Sequence, residues 1–259
     1  MRVFLRRFLI AFFVFALLVG GFFLWIQDKY VVPILMYHEI EDIGRHEANY
    51  VTPKNFERQM AFFAKNKYNV ISLDALIESI KQGNFIPKNS VVISFDDGVE
   101  NNYTNALGVL KKYDFPAIVF VPSSLIGKTK QMSAAQLQEM IHAGIDIGSH
   151  TQTHAYLPDL SFEEQRREIF DSKKDLEESL GIPIKYFAYP IGGFSDEIKE
   201  IVRQAGYEGA CATNRGYDRF NKDVFELKRI RPNNNDSDFV LWIKTSGYYN
   251  LFRKSKKSY

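Results

Sequence analysis

The 259-residue sequence predicts an α/β protein: a parallel barrel of strands and helices preceded by one helix of membrane-spanning length. Short apolar runs alternate with amphipathic stretches after Val31, the pattern of a parallel sheet covered by helices. Seven or eight such units in about 230 residues fit a barrel better than an open sheet. No charged residue occurs from Phe8 to Ile26. The chain therefore divides into residues 1–30, an N-terminus with its membrane segment, and residues 31–259, one globular domain.

At about 1.5 Å per residue, the uncharged run just covers a hydrocarbon core of about 30 Å. Arg2, Arg6 and Arg7 precede it, whereas Asp28 and Lys29 follow. The positive-inside bias then keeps the N-terminus cytoplasmic and sends the domain across. A cleaved signal peptide is the competing reading, but the run ends Gly-Gly-Phe-Phe-Leu-Trp-Ile-Gln, without an Ala-x-Ala site. Trp25 and Tyr30 suit the far interface.

Composition narrows the function classes. Charged residues make up 25% of the chain, too many for a multi-span membrane protein. A formal net charge of +2 gives no basis for nucleic-acid binding, which needs a concentrated basic face. Cys211 is the single cysteine, so no intramolecular disulfide exists, and its setting, Gly-Ala-Cys-Ala, predicts a small buried residue.

Val31 to Tyr37 reads as a buried strand with His38 at its end, and residues 39–52 as a loop. Thr52 caps a helix with Pro53 in its first turn and Phe56, Met60 and Phe63 on one face. Val70–Ser72 is a strand, and Leu73–Gln82 a helix ended by Gly83. Ser90–Phe95 is the clearest strand and runs into Asp96-Asp97-Gly98. Helix 101–113, strand 117–121, helix 133–143 capped by Ser133, and strand 145–148 follow. Residues 149–154 are a loop. Helix 161–180 opens with Ser-Phe-Glu-Glu and stops at Gly181 and Pro183. Strand 186–189, helix 196–205, strand 209–212 and a final strand near 226–230 complete the alternation. The Asn-rich turn 233–235 follows.

His38, Asp96-Asp97, His150 and Tyr189-Pro190 all follow predicted strands, and C-terminal strand ends converge on one face of a parallel barrel. Adjacent Asp96 and Asp97 could be a plain acidic turn. At a buried strand end, however, two carboxylates repel unless a cation or shared proton relieves them. In Ser149-His150-Thr-Gln-Thr-His154 the imidazoles lie four residues apart, able to reach one metal if the segment turns helically. One carboxylate with two imidazoles makes a three-ligand site with open positions. That set suits zinc first, with cobalt, nickel, iron or manganese also acceptable. Phe187-Ala-Tyr189-Pro190-Ile191-Gly192-Gly reads as a strand and turn, or as a close-approach loop whose backbone N–H groups, that of Ile191 among them, face a developing oxyanion.

Ser-Phe-Asp-Asp-Gly, Ser-His-Thr-x-Thr-His and Tyr-Pro-x-Gly, in this order, resemble the NodB-like polysaccharide deacetylases of carbohydrate esterase family four, from Val31 to about Pro232. The resemblance implies a distorted seven-stranded (β/α) barrel, with Asp96 as general base and Asp97, His150 and His154 as metal ligands. Two departures stand out. Most members carry an Arg two residues before the Pro of the third motif, orienting the base; here that residue is Ala188. Most also carry a late Leu-x-His general acid, yet no histidine follows His154. The opening Pro-Ile-Leu-Met-Tyr-His38 and the later Leu-Lys-Arg229-Ile-Arg231-Pro resemble the permuted branch containing poly-N-acetylglucosamine deacetylases. That likeness puts His38 in the acid's place and offers Arg229 or Arg231 for the missing Arg.

The implied activity is metal-dependent removal of N-acetyl groups from an N-acetylglucosamine-type polysaccharide outside the cytoplasm. An inactive saccharide-binding barrel and a zinc amidase for a small non-sugar amide are the alternatives; an aromatic-lined groove would favour the polymer. Tyr103, Tyr156, Tyr217, Trp242, Tyr248 and Tyr249 are candidates for sugar stacking. His46 and His142 read as surface residues, and the basic C-terminal tail as a solvated end.

Overall fold

The computed structural model describes residues 2–27, 29–44, 47–254 and 256–258. Helix α1 (Arg2–Gln27) is the one helix among them long and apolar enough to cross a membrane, and the apolar window within its Arg6–Gln27 stretch has no buried residue. Asp28, just beyond it, and His46 lie outside the described residues.

The domain begins with β1 (Ile34–Tyr37), then β2 (Glu39–Ile40) and β3 (Tyr50–Val51), α2 (Pro53–Lys65), β4 (Asn69–Val70) and α3 (Leu73–Gln82). Next come β5 (Ser90–Phe95), a π-helical turn at 102–106 running into α4 (Leu107–Tyr113), β6 (Ala117–Val121), α5 (Ala134–His142) and β7 (Ile145–Ser149). Then follow α6 (Phe162–Leu180), β8 (Tyr186–Ala188), α7 (Asp196–Gln204), β9 (Gly209–Cys211), α8 (Asp238–Lys244) and α9 (Tyr249–Phe252).

Local chemistry sets the helix ends. The Thr52 hydroxyl accepts from the Asn55 N–H, Ser133 and Gln136 form a reciprocal capping box, and Ser161 pairs with Glu164 in the same way. Gly83 and Gly181 end α3 and α6 in the left-handed conformation.

Seven strands form one parallel sheet in the order β1-β5-β6-β7-β8-β9, with β4 paired to the start of β5. The sheet curls until the segment at 227–230 bridges both edges. Cys211 pairs with Leu227 on one side and Leu35 with Ile230 on the other. The expected strand at 226–230 is thus present as two single bridges, because Leu227 and Ile230 face different neighbours. The expected loop at 39–52 contains the short parallel pair β2–β3. The strand expected at 70–72 occupies Asn69–Val70, and α8 fills a region in which no helix was expected.

Alternation along the strands separates two apolar cores. Leu35, Tyr37, Val91, Ile93 and Phe95 face the surrounding helices, with Phe56, Met60 and Phe63 of α2 against them. Ile34, Val92, Ile118, Phe120, Tyr186, Ala188, Cys211 and Leu227 fill the interior. The same parity governs what lies above them. Because Ile34 pairs with Val92 and Met36 with Ser94, the next inward positions are His38 and Asp96.

Candidate active site

At the C-terminal end of the sheet a cavity of about 470 Å³ is lined by Met36, His38, Asp96, Asp97, His150 and His154 on one side. Ile191, Thr213, Asn214 and a set of basic side chains line the rest.

The Asp96 carboxylate is buried, and its two oxygens accept from Arg229 Nη1 at 2.6 Å and Nη2 at 2.7 Å. Arg229 is itself fully buried. Its Nε donates to the Ala212 carbonyl at 3.0 Å and its Nη1 to Ser94 Oγ at 3.2 Å. Burial alone would raise the Asp96 pKa, but Arg229, with His150 and His38, outweighs it, and Asp96 stays below the usual carboxylate range. Arg229 reaches Asp96, whereas Arg231 lines the cavity and makes no ion pair with it among the described residues.

Asp97 follows in the left-handed conformation (φ 72°), which turns its carboxylate away from Asp96 and towards the histidines. Its Oδ1 lies 3.2 Å from His154 Nε2 and 3.6 Å from His150 Nε2, and the two rings stand 4.8 Å apart. The His150–His154 segment is not a helical turn. Left-handed Thr151 and His154 fold it back, bringing both rings to one side. His150 Nδ1 is 2.7 Å from the Ala188 carbonyl, which can only accept, so Nδ1 carries the proton and the Nε2 lone pair faces Asp97.

His38 is nearly buried, with Nε2 4.0 Å from Asp96 Oδ2 and its backbone carbonyl accepting from Asn102 at 2.6 Å. Burial lowers its pKa, opposed by Asp96 and Asp97.

The third motif is divided. Tyr189 and Pro190 are buried. The Tyr189 ring packs on Phe187 and Phe194, and its hydroxyl is spent on the Phe225 carbonyl at 3.0 Å. Of the expected Tyr189–Gly192 substrate loop, Ile191 alone lines the cavity, held at φ 58°. Gly192 is packed so closely on Thr213 that a Cβ there would lie 2.2 Å from Oγ1.

Several contributors were not singled out in the sequence. Glu168 of α6 accepts from the Gln152 and Thr153 N–H groups, both at 2.9 Å, and from Thr153 Oγ1 at 2.6 Å. Asp175, two turns on, holds Gln152 Nε2 and Ser123 Oγ at 3.0 Å each. Arg253 and Lys256, in the tail read as a solvated end, line the cavity. None of the six candidate stacking aromatics does so.

The chain is similar to known proteins. The family model for polysaccharide deacetylases matches residues 84–210. YxkH of Bacillus subtilis (strain 168), described as a polysaccharide deacetylase, is 31% identical over 216 residues, covering 83% of this chain and 76% of that protein. The chain belongs to the polysaccharide deacetylase family. Another deacetylase, the poly-beta-1,6-N-acetyl-D-glucosamine N-deacetylase of Staphylococcus aureus (strain MSSA476), is 28% identical over 200 residues, covering 72% of this chain but 64% of its own length. The solved structure of the Streptococcus pyogenes deacetylase PplD in complex with acetate superposes with a TM-score of 0.77 at 28% identity. It covers 83% of this chain and 97% of the PplD chain.

Deacetylases of this family are metal-dependent, and the donor set fits a metal. One carboxylate and two imidazoles present ligand atoms all within 4.8 Å of one another. Two ligands about 2.0–2.1 Å from one tetrahedral ion lie about 3.3 Å apart, close to the spacings from Asp97 to both rings.

Proposed function

We propose that this polysaccharide deacetylase removes N-acetyl groups from an N-acetylglucosamine-type polysaccharide outside the cytoplasm. In this reading one divalent metal ion, zinc in the first instance, is held by Asp97, His150 and His154. The observation that carries it is the juxtaposition of that ligand cluster with Asp96, clamped by Arg229, and with His38 4.0 Å beyond.

When bound, such an ion polarises the amide carbonyl and lowers the pKa of its water from about 15.7 towards 7. Asp96 takes the proton of the attacking water; both its oxygens stay tied to Arg229, so the base keeps one orientation. The Ile191 backbone N–H faces the oxyanion of the tetrahedral species. His38 gives a proton to the departing nitrogen as the C–N bond breaks, leaving an amine on the sugar and free acetate. An imidazolium whose pKa is lowered by burial is the stronger acid for that transfer. Helix α1, with its arginines on the cytoplasmic side, tethers the domain to the outer face of the membrane.

The test is acetate release from β-1,6-linked N-acetylglucosamine oligomers by the full-length protein in detergent, with metal content measured. No release from metal-loaded protein would leave an inactive saccharide-binding barrel. A zinc amidase for a small non-sugar amide is the second reading, favoured by a cavity lining without Phe, Tyr or Trp among the described residues. Faster turnover of N-acetylated non-sugar amines than of the oligomers would select it.

A further inference from the structure

The cavity carries a charge that a neutral sugar polymer does not require. Asp96 and Asp97 are its only lining carboxylates among the described residues, against Arg215, Arg231, Arg253 and Lys256. Neither acid is available to these cations: Arg229 holds both oxygens of Asp96, and Asp97 faces two imidazoles. Arg231, Arg253 and Lys256 make no ion pair among the described residues. The Arg231 Nε is buried without any hydrogen-bond partner.

Arg253, Arg215 and the Lys256 main chain are held in place. The Arg253 Nη1 donates to the Arg229 carbonyl at 2.6 Å, and Arg215 donates from Nε and Nη1 to the Ile191 and Lys257 carbonyls, both at 3.1 Å. The tail lies along residues 214–216. The Lys256 N–H donates to the Asn214 carbonyl and the Gly216 N–H to the Lys256 carbonyl, both at 3.1 Å. The Phe194 N–H donates to the Ser258 carbonyl at the same distance. Backbone carbonyls orient the Arg215 and Arg253 guanidinium groups, and no carboxylate pairs with either among the described residues. Burial is also the largest influence on Arg231 and Arg253, lowering both pKa values. Asp96 and Asp97 oppose this through space at Arg231, whereas no carboxylate does so at Arg253. Desolvated like charges this short of counter-charge are costly, and an incoming anion relieves that cost. Deacetylating a neutral polymer creates an ammonium group, which this wall would repel.

We propose that the substrate carries an oxyanion, a phosphate or a carboxylate, on or beside the N-acetylated sugar, received by Arg231, Arg253 and Lys256. The planar guanidinium fork suits both oxyanions. The inference rests on the deacetylase reading for the identity of the ligand as substrate, but the anion site is testable without turnover.

The experiment is calorimetric titration of full-length protein in detergent, freed of metal so that anions cannot bind an ion. The probes are N-acetylglucosamine, N-acetylglucosamine 1-phosphate and N-acetylmuramic acid. At least tenfold tighter binding of an anionic sugar is expected, weakening as salt rises from 20 to about 200 mM. Preference for the phosphate or for the carboxylate identifies the source of the oxyanion. Arg231→Gln and Arg253→Gln should each cut the preference at least fivefold, with Arg231→Lys retaining part of it. Equal affinity of the wild-type protein for the three sugars overturns the proposal, whether or not any variant folds. Acetate release from neutral oligomers without an anion preference would leave the deacetylase reading standing and this one refuted. An anion preference without acetate release from any substrate would do the reverse.

Discussion

Arg229 and Asp96 form a two-pronged ion pair, at 2.6 and 2.7 Å, with neither side chain more than 4% exposed. Removing one partner of such a pair strands the other charge in the protein interior. Arg229→Leu should therefore lose about 3–5 kcal/mol of stability by chemical denaturation, and acetate release should fall with it. Arg229→Lys keeps the charge but not the fork, so it should recover stability ahead of turnover. Full activity in the folded Arg229→Leu protein would remove Asp96 from the role of base.

His38 lies at the cavity but outside the Asp97–His150–His154 cluster, which separates two readouts. His38→Ala should retain metal at wild-type stoichiometry, measured by atomic absorption, while turnover drops by about 100- to 10,000-fold. Loss of metal in this variant, or turnover within about twofold of wild type, would contradict its assignment as the acid.

Cys211 faces the barrel interior, where burial pushes its thiol pKa up to about 12. A raised pKa means that the unfolded chain gives up this proton first. The contribution to stability is thus complete below the unfolded value of about 8.5 and is lost as pH rises from there towards 12. Iodoacetamide should leave the native protein unlabelled at pH 9 and label it stoichiometrically once denatured. Rapid native labelling would show that the interior is open to solvent at this point.

Much of this was legible because the signals are local. Ser90–Phe95 is apolar on both faces because helices cover one side of the sheet and the barrel interior the other. The caps at Thr52, Ser133 and Ser161 announce helices within four residues of themselves. Strand parity then carries His38 and Asp96 to the same face. The Arg229–Asp96 pair joins positions 133 residues apart, and nothing in either neighbourhood selects Arg229 over Arg231. The 227–230 segment escapes strand periodicity because it makes one bridge to each edge. The tail resembles a solvated end because its anchors, Asn214 and Phe194, donate and accept through backbone groups that leave no trace in side-chain pattern.

The least legible contributor is α6, whose charges resemble an ordinary solvated helix face. Gln165, Glu168, Ser172 and Asp175 follow helical spacing and form one polar stripe under the segment that carries His150 and His154. Gln165 Nε2 donates to the Leu157 and Leu160 carbonyls, and Ser172 Oγ meets Ser149 Oγ at 2.8 Å. Glu168 closes the loop by accepting three hydrogen bonds from Gln152 and Thr153, between two residues held at positive φ. Without that carboxylate the Thr153 N–H loses its acceptor, the Gln152 N–H keeps only the Glu168 main-chain carbonyl at 3.1 Å, and left-handed Thr151 and His154 lose a contact that offsets their strain. Glu168→Ala should therefore weaken zinc binding about 10- to 100-fold in a chelator competition, as other changes behind metal ligands do. Glu168→Gln, which keeps one acceptor oxygen, should fall between the two. Unchanged zinc affinity in Glu168→Ala, with helix content intact by circular dichroism, would mean that the loop holds its own shape and the stripe on α6 serves packing alone.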